Sequence, residues 1–185
     1  KLSLAAFNPK VKAVILDINS PGGGVTASDF IYHEISEFRR ASGKPVVAFY
    51  EDAAASGGYY ISAQADKIIA VPTSLIGSIG VIHHGLDLSE LFKKVGARMF
   101  SYKSGRLKDI GSPDRPPTQE EQERMQNLIN HFYKRFVQIV SNGRKMPPEK
   151  IQGFEAGIFN SEEALANGLI DKIGYLEDAY AEARS

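Results

Sequence analysis

The sequence predicts an α/β fold: a mainly parallel sheet, flanking helices and a long C-terminal helical region. Three observations carry that prediction. Short continuous apolar runs, "VKAVILDI" (11–18) and "PVVAFYE" (45–51), have the composition of strands buried on both faces. Stretches of helical spacing alternate with them, the arrangement that places strands side by side in parallel. Residues 118–144 hold helical periodicity over many turns, with Thr118 as N-cap and acidic residues in the first turn.

The elements follow in order. "KLSLAAFNPK" reads as the last turns of an amphipathic helix, and the run at 11–18 as a buried strand ending at "NSPGGG". Residues 26–41 place Phe30, Ile31, Ile35 and Phe38 near helical spacing and stop at "SGKP". A second strand covers 45–51, and a short helix over 56–65 starts at a serine. Strands are expected at 67–71 and 77–84, a helix at 88–96 and a short strand at 97–103. The stretch 104–117, rich in Gly, Pro and charge, is a loop, and short helices follow the long one.

Composition narrows the function classes. The chain has 185 residues, 43% of them hydrophobic, which suits one compact domain with a real core. Its 22 basic and 22 acidic residues cancel, so no field favours nucleic acid or an anionic surface. There is no cysteine, which excludes a disulfide frame, a thiolate zinc site and a cysteine nucleophile. No apolar run approaches the roughly 18 residues of a membrane span, and no signal peptide is visible. The opening, which lacks Met, reads as that of a fragment without its N-terminal segment.

Chemistry concentrates in a few places. "NSPGGGV" (19–25) lies between a strand and a helix. Its glycines leave backbone N–H groups uncovered, and the helix aims its positive end at the turn, so it can hold an anion or a developing oxyanion. It is no phosphate loop, because no Lys-Ser/Thr follows the last glycine; as a bare Gly turn it is equally an ordinary chain reversal. In "DAAASGGYY" (52–60), Ser56 stands at a strand-to-helix junction among small residues. It is either a helix N-cap or a nucleophile on a tight bend whose next N–H helps to hold an oxyanion.

A serine nucleophile needs a base. His33 and His131 fall within helix patterns, whereas His83 and His84 end an expected strand and could reach a site. Lys103 and Lys108 lie in or beside the Gly-rich loop, and a lysine serves as base only when its amine has lost its proton. Ser74 and Ser78, hydroxyls among apolar residues, can bond a lysine amine or local backbone. Asp17, Asp52, Asp66 and Asp109 form no metal-ligand cluster, and Tyr59 and Tyr60 read as core.

Taken together, "VKAVILDINSPGGGV", "KPVVAFYEDAAASGGYYISAQADKIIAVPTSLIGSIGV", "YKSGRLKDIGSPDRPPTQEEQE" and the tail "GIFNSEEALANGLIDKIG" resemble the signal peptide peptidase A family. These are serine peptidases of the Clp/crotonase-like fold, and the likeness covers nearly the whole chain, 1–185, as a single peptidase domain. The resemblance implies Ser56 as nucleophile, Lys108 as general base and acid, the backbone N–H groups of Gly23 and Gly57 as oxyanion hole, and Ser78 as the hydroxyl that orients the lysine. Lys103 is then a decoy, and Asp109 is expected to point away from the Lys108 amine. The resemblance also implies no metal or cofactor, peptide or unfolded protein substrates including remnant signal peptides, and a homo-oligomeric ring in which Ser and Lys can meet across subunits. Family members carry a membrane anchor and an early strand that this sequence does not show, so membrane association is expected only through a segment absent here. Three rivals remain: a Ser–His pair using His83, a crotonase-like acyl-CoA enzyme with carboxylate chemistry, and a non-catalytic scaffold with a decayed site.

Overall fold

A computed structural model describes residues 2–184. The elements run α1 (Leu2–Phe7), β1 (Val14–Ser20), α2 (Val25–Ser42), β2 (Val46–Ala55), α3 (Gly57–Ser62), β3 (Lys67–Ala70) and β4 (Leu75–Gly77). They continue with α4 (Ser89–Val95), α5 (Gln119–Arg144), α6 (Pro148–Gln152), β5 (Ile158–Phe159), α7 (Ser161–Asn167), β6 (Lys172–Ile173) and α8 (Leu176–Glu182). The fold is α/β with a mostly parallel sheet, as the alternation of apolar runs predicts.

Strand β2 organises the sheet. It pairs in parallel with β1 from Val14↔Val46 to Ile18↔Tyr50, with β3 through Val47–Tyr50, and with β4 through Ala53–Ala55. Strand β6 continues the parallel pairing on β3, and β5 adds an antiparallel edge on β4. Because β2 has neighbours along its length, its first half is an unbroken apolar run. Side-chain alternation then sorts that run. Val46, Ala48 and Tyr50 pack with Ile35 and Phe38 of α2 and with Phe136 and Val140 of α5. Val47 and Phe49 face the other way, onto Ile69 and Ala179 of α8. Each fully buried Val or Ile contributes roughly 1.5–3 kcal/mol.

The chain divides into two compact units. One comprises the residues up to Gly80 and those from Tyr133 on; the other is Val81–Phe132. The first holds the sheet. The second is organised by Arg115, whose guanidinium grips Glu121 with bonds of 2.6 and 2.8 Å. Glu121 is 2% exposed; it also accepts from the Thr118 N–H at 2.8 Å, while Thr118 Oγ1 accepts from the Glu121 N–H at 3.3 Å. Thr118 therefore caps α5 through a reciprocal box, as its position implies.

Several expectations are corrected. The fourth strand is Leu75–Gly77, not 77–84, because Gly77 (φ 111°) and Ser78 (φ 48°) turn the chain out of extended geometry. His83 and His84 thus lie in an irregular, exposed segment rather than at a strand end. Residues 97–103 form no strand: Met99, Phe100 and Tyr102 are exposed, and alternation without a partner ladder does not make a strand. Of the four apolar residues expected to line α2, only Ile35 and Phe38 are buried; Phe30 and Ile31 are exposed. The two-residue strands β5 and β6 carry no periodicity of their own to find.

The Arg115 guanidinium, with the Thr118 N–H, holds the Glu121 carboxyl down to about 2. A depressed carboxylate stabilises the fold above its unfolded value of 4.5 and loses that contribution as pH falls toward about 2. Glu121→Gln is therefore expected to lower the unfolding temperature at pH 7. The difference from the parent should shrink steadily below pH 4.5, which thermal unfolding across pH measures.

Candidate active site

Ser56 sits where β2 ends and α3 begins. Its backbone holds φ 50° and ψ −118°, a region a non-glycine residue enters at a cost of order 1–3 kcal/mol. The ladder enforces it: Ala55 is paired with Gly77, and the Ser56 N–H donates to the Gly77 carbonyl at 2.8 Å. On the other side the Ser56 carbonyl accepts from the Tyr60 N–H at 2.9 Å, closing the first turn of α3. Ser56 holds the N-cap position, yet its side chain makes no capping hydrogen bond. The hydroxyl is left half-buried and uncommitted.

The glycine turn is pressed onto this junction. Gly22 has φ 114°, and its N–H donates to Ser20 Oγ at 3.2 Å. A Cβ on Gly22 would lie 2.8 Å from Ser56 Cβ and 2.9 Å from the Gly57 nitrogen. A Cβ on Gly57 would lie 3.1 Å from the Gly23 nitrogen and 2.5 Å from Ser28 Oγ, and one on Gly58 would lie 2.7 Å from the Ser20 carbonyl oxygen. The two glycine runs therefore meet closely, with no room for a side chain at Gly22, Gly57 or Gly58, whereas a Cβ on Gly23 or Gly24 would meet nothing within 4 Å. Gly57 is the first residue of α3, where the N–H has no intrahelical partner. Gly23 precedes Gly24, the N-cap of the 18-residue α2. Two neighbouring amide donors beside a serine hydroxyl can stabilise an oxyanion formed on that hydroxyl's target.

Ser78 stands one residue beyond the carbonyl that holds Ser56. Its N–H donates to the Gly157 carbonyl at 2.8 Å, and a Cβ on Gly77 would meet the same oxygen at 2.8 Å. The Ser78 hydroxyl is partly buried. Ser74 is spoken for: its hydroxyl bonds the Tyr50 and Glu51 carbonyls at 3.1 and 2.6 Å, fastening the chain before β4 to β2.

Lys108 lies in the Val81–Phe132 unit, in a turn where its N–H donates to the Gly105 carbonyl at 3.0 Å. Its side chain is exposed. Asp109 is taken by other cations: its carboxylate accepts from the Lys103 amine at 2.7 Å and pairs with Arg115 at 3.2 Å. Those bonds, Lys103's first, hold the Asp109 carboxyl below its ordinary range, and its Oδ1 is buried without a partner. Lys103 is thus committed to a salt bridge. His33 and His131 are exposed on α2 and α5. The structure brings Ser56, Gly23, Gly57 and Ser78 together in the sheet-bearing unit, and places Lys108, His83 and His84 in the other. Among the described residues no cluster of His, Asp or Glu is disposed to hold a metal ion.

Sequence reasoning did not single out Gly22 or Ser28. "GGG" does not say which glycine must take positive φ, and Ser28 signals only by lying four residues after Gly24, whose carbonyl accepts from its Oγ at 3.1 Å.

Comparison with known proteins adds the family signal. The model of peptidase family S49 matches residues 38–185, a span that includes Ser56 and Lys108. A protein of Enterococcus faecium, provisionally named signal peptide peptidase SppA, is 44% identical over 91% of this chain and 49% of its own length. Protease 4 of Salmonella typhi is 41% identical over 97% of this chain and 29% of its own length. The chloroplastic serine protease SPPA of Arabidopsis thaliana is 37% identical over 100% of this chain and 27% of its own length. The chain thus spans half or less of each of these relatives.

Gly57→Ala would thrust a methyl group at Gly23 and Ser28 Oγ. It is expected to slow labelling of Ser56 by a serine-reactive phosphonate by about 10²-fold or more, the usual cost of losing one oxyanion donor. Intact-mass time courses would measure the rate.

Proposed function

The chain belongs to peptidase family S49, the signal peptide peptidase A family, and from that premise we propose that it carries the catalytic centre of a serine endopeptidase with a Ser56–Lys108 dyad. One observation supports this most: Ser56 is held at φ 50° in a helix-capping position, and its hydroxyl caps nothing. Strain kept at a residue that forgoes its structural bond points to chemistry.

In this reading the neutral Lys108 amine takes the Ser56 hydroxyl proton as Oγ attacks a peptide carbonyl carbon. The carbonyl oxygen becomes an oxyanion, held by the N–H groups of Gly23 and Gly57, each worth roughly 3 kcal/mol in the transition state. Collapse of the tetrahedral intermediate expels the amine, which takes the proton back from Lys108. Water, deprotonated by Lys108, then attacks the acyl-enzyme, and a second collapse frees the acid as Lys108 returns that proton to Ser56 Oγ. Ser78 Oγ orients the lysine amine. No step calls for a metal or cofactor.

Lys108 is exposed in the single chain, whereas a general base needs a neutral amine, which burial favours. The proposal therefore includes a homo-oligomer that shelters the amine, the two members of the dyad coming from one subunit or from neighbours. Substrates are peptides or unfolded polypeptides, remnant signal peptides among them. Among the described residues no helix is long and apolar enough to cross a membrane. His83 and Lys108 both lie in exposed irregular segments, so the lysine is preferred to a histidine base on the family resemblance alone.

Substitution separates the readings. Ser56→Ala and Lys108→Ala are each expected to cut turnover of a peptide ester by at least about 10³-fold, while His83→Ala stays near the parent rate. Turnover that survives Lys108→Ala would overturn the dyad.

A further inference from the structure

The two proposed oxyanion donors sit at the starts of two helices, Gly23 just before α2 and Gly57 at the head of α3. Such a pair works only when its spacing is held to a fraction of an ångström. What holds one helix to the other is a ladder of side chains running away from the site. Ser28, Tyr32 and Ser36 follow one another at four-residue intervals, so they share a face of α2. Ser28 Oγ lies against Gly57. The Tyr32 carbonyl accepts from Gln64 Nε2 at 2.8 Å, and Ser36 Oγ donates to Gln64 Oε1 at 2.6 Å.

Between these rungs stands Tyr60, three residues after Gly57. It is 3% exposed, its ring wedged edge-on against Tyr32 at 5.7 Å and against Phe136 at 4.9 Å. Its hydroxyl donates to Asp29 Oδ1 at 2.5 Å. The same carboxylate oxygen accepts from Arg135 of α5 at 3.2 and 3.3 Å, and the Arg135 guanidinium lies 5.8 Å from the Tyr32 ring centre. A buried phenol bonded to a charged carboxylate is a short, directional strut. It joins residue 29 of α2 to residue 60 of α3 within about two turns of both donors.

We propose that the Asp29–Tyr60 hydrogen bond is a positioning element of the oxyanion hole, fixing α3 on α2 so that the Gly23 and Gly57 N–H groups converge, a role that rests on the reading of Ser56 as nucleophile. Neither side chain touches the reacting atoms. The Gln64 rungs and the buried aromatic rings remain when the strut is cut, so the helices stay packed while their heads lose register.

The test uses Tyr60→Phe, Asp29→Ala, the double variant and Asp29→Asn in the purified full-length protein, with a peptide ester as substrate. Phosphonate titration counts competent sites, and a peptide aldehyde, which forms a tetrahedral adduct on Ser56, reports oxyanion binding. Tyr60→Phe and Asp29→Ala are expected each to lower kcat and aldehyde affinity by about 10-fold, with KM and titration amplitude unchanged. The double variant should be no worse than either single one, because both remove the same bond. Asp29→Asn, which keeps an acceptor for the phenol, should recover kcat to within about 3-fold of the parent. Turnover that requires Ser56 but stays within about 2-fold in both single variants, or losses that multiply in the double variant, would overturn this inference alone. Turnover indifferent to Ser56→Ala would overturn the catalytic reading and this role with it.

Discussion

The contact on which the site depends is the meeting of two glycine-rich backbones, the Gly22–Gly24 turn and the Ser56–Gly58 junction. A Cβ on Gly22 would lie 2.8 Å from Ser56 Cβ and 2.9 Å from the Gly57 nitrogen, and one on Gly57 would lie 3.1 Å from the Gly23 nitrogen. That closeness brings backbone from two separate chain segments to the junction that holds Ser56. It is maintained by rigid elements on both sides: β1 and β2 are paired in parallel over Val14–Ile18 and deliver both turns at the same end of the sheet. This is where ligands and reacting groups gather in parallel α/β sheets, because the helices that follow the strands start there.

The backbone strain at Ser56 fits that arrangement. A φ of 50° is tolerated because its neighbours over-determine it: β4 takes the N–H through Gly77, and α3 takes the carbonyl through Tyr60. Gly77 and Ser78, also at positive φ, are fixed in turn by the Gly157 carbonyl. The backbone of Ser56 is thus held by α3, which it opens, and by β4, which is itself fastened to Gly157. The second unit sorts its lysines by pairing. Asp109 binds Lys103 and Arg115, which separates the lysine in a salt bridge from the one beside it that is offered to solvent.

Much of this was legible from the residues, and the rest was not for physical reasons. The apolar run of β2 and the capped periodicity of α5 are local signals, and both elements form there, although β2 runs on from the expected end at 51 through Ala55. Ser56 was recognisable as a junction residue, but whether its hydroxyl caps the helix could not be read, since that depends on the backbone it meets in the fold. The mutual approach of Gly22 and Gly57 is made across the β1–α2–β2 crossover and has no local signature. The same holds for β5 and β6, two residues each and defined only by their partners. The expected strand at 97–103 fails in the opposite sense: Phe100 and Tyr102 alternate suitably but find no ladder. Tyr60 was visible only as a core aromatic and Asp29 was not singled out, because a hydrogen bond between helices cannot be read from either residue alone.

The central claim is that Ser56, Gly23 and Gly57 form one acyl-transfer site. Its most direct test is a crystal structure of the protein carrying a phosphonate on Ser56. The account predicts one phosphonyl oxygen roughly 2.7–3.1 Å from both the Gly23 and Gly57 nitrogens. An adduct on another serine, or a Ser56 adduct whose oxygens reach neither nitrogen, would contradict it.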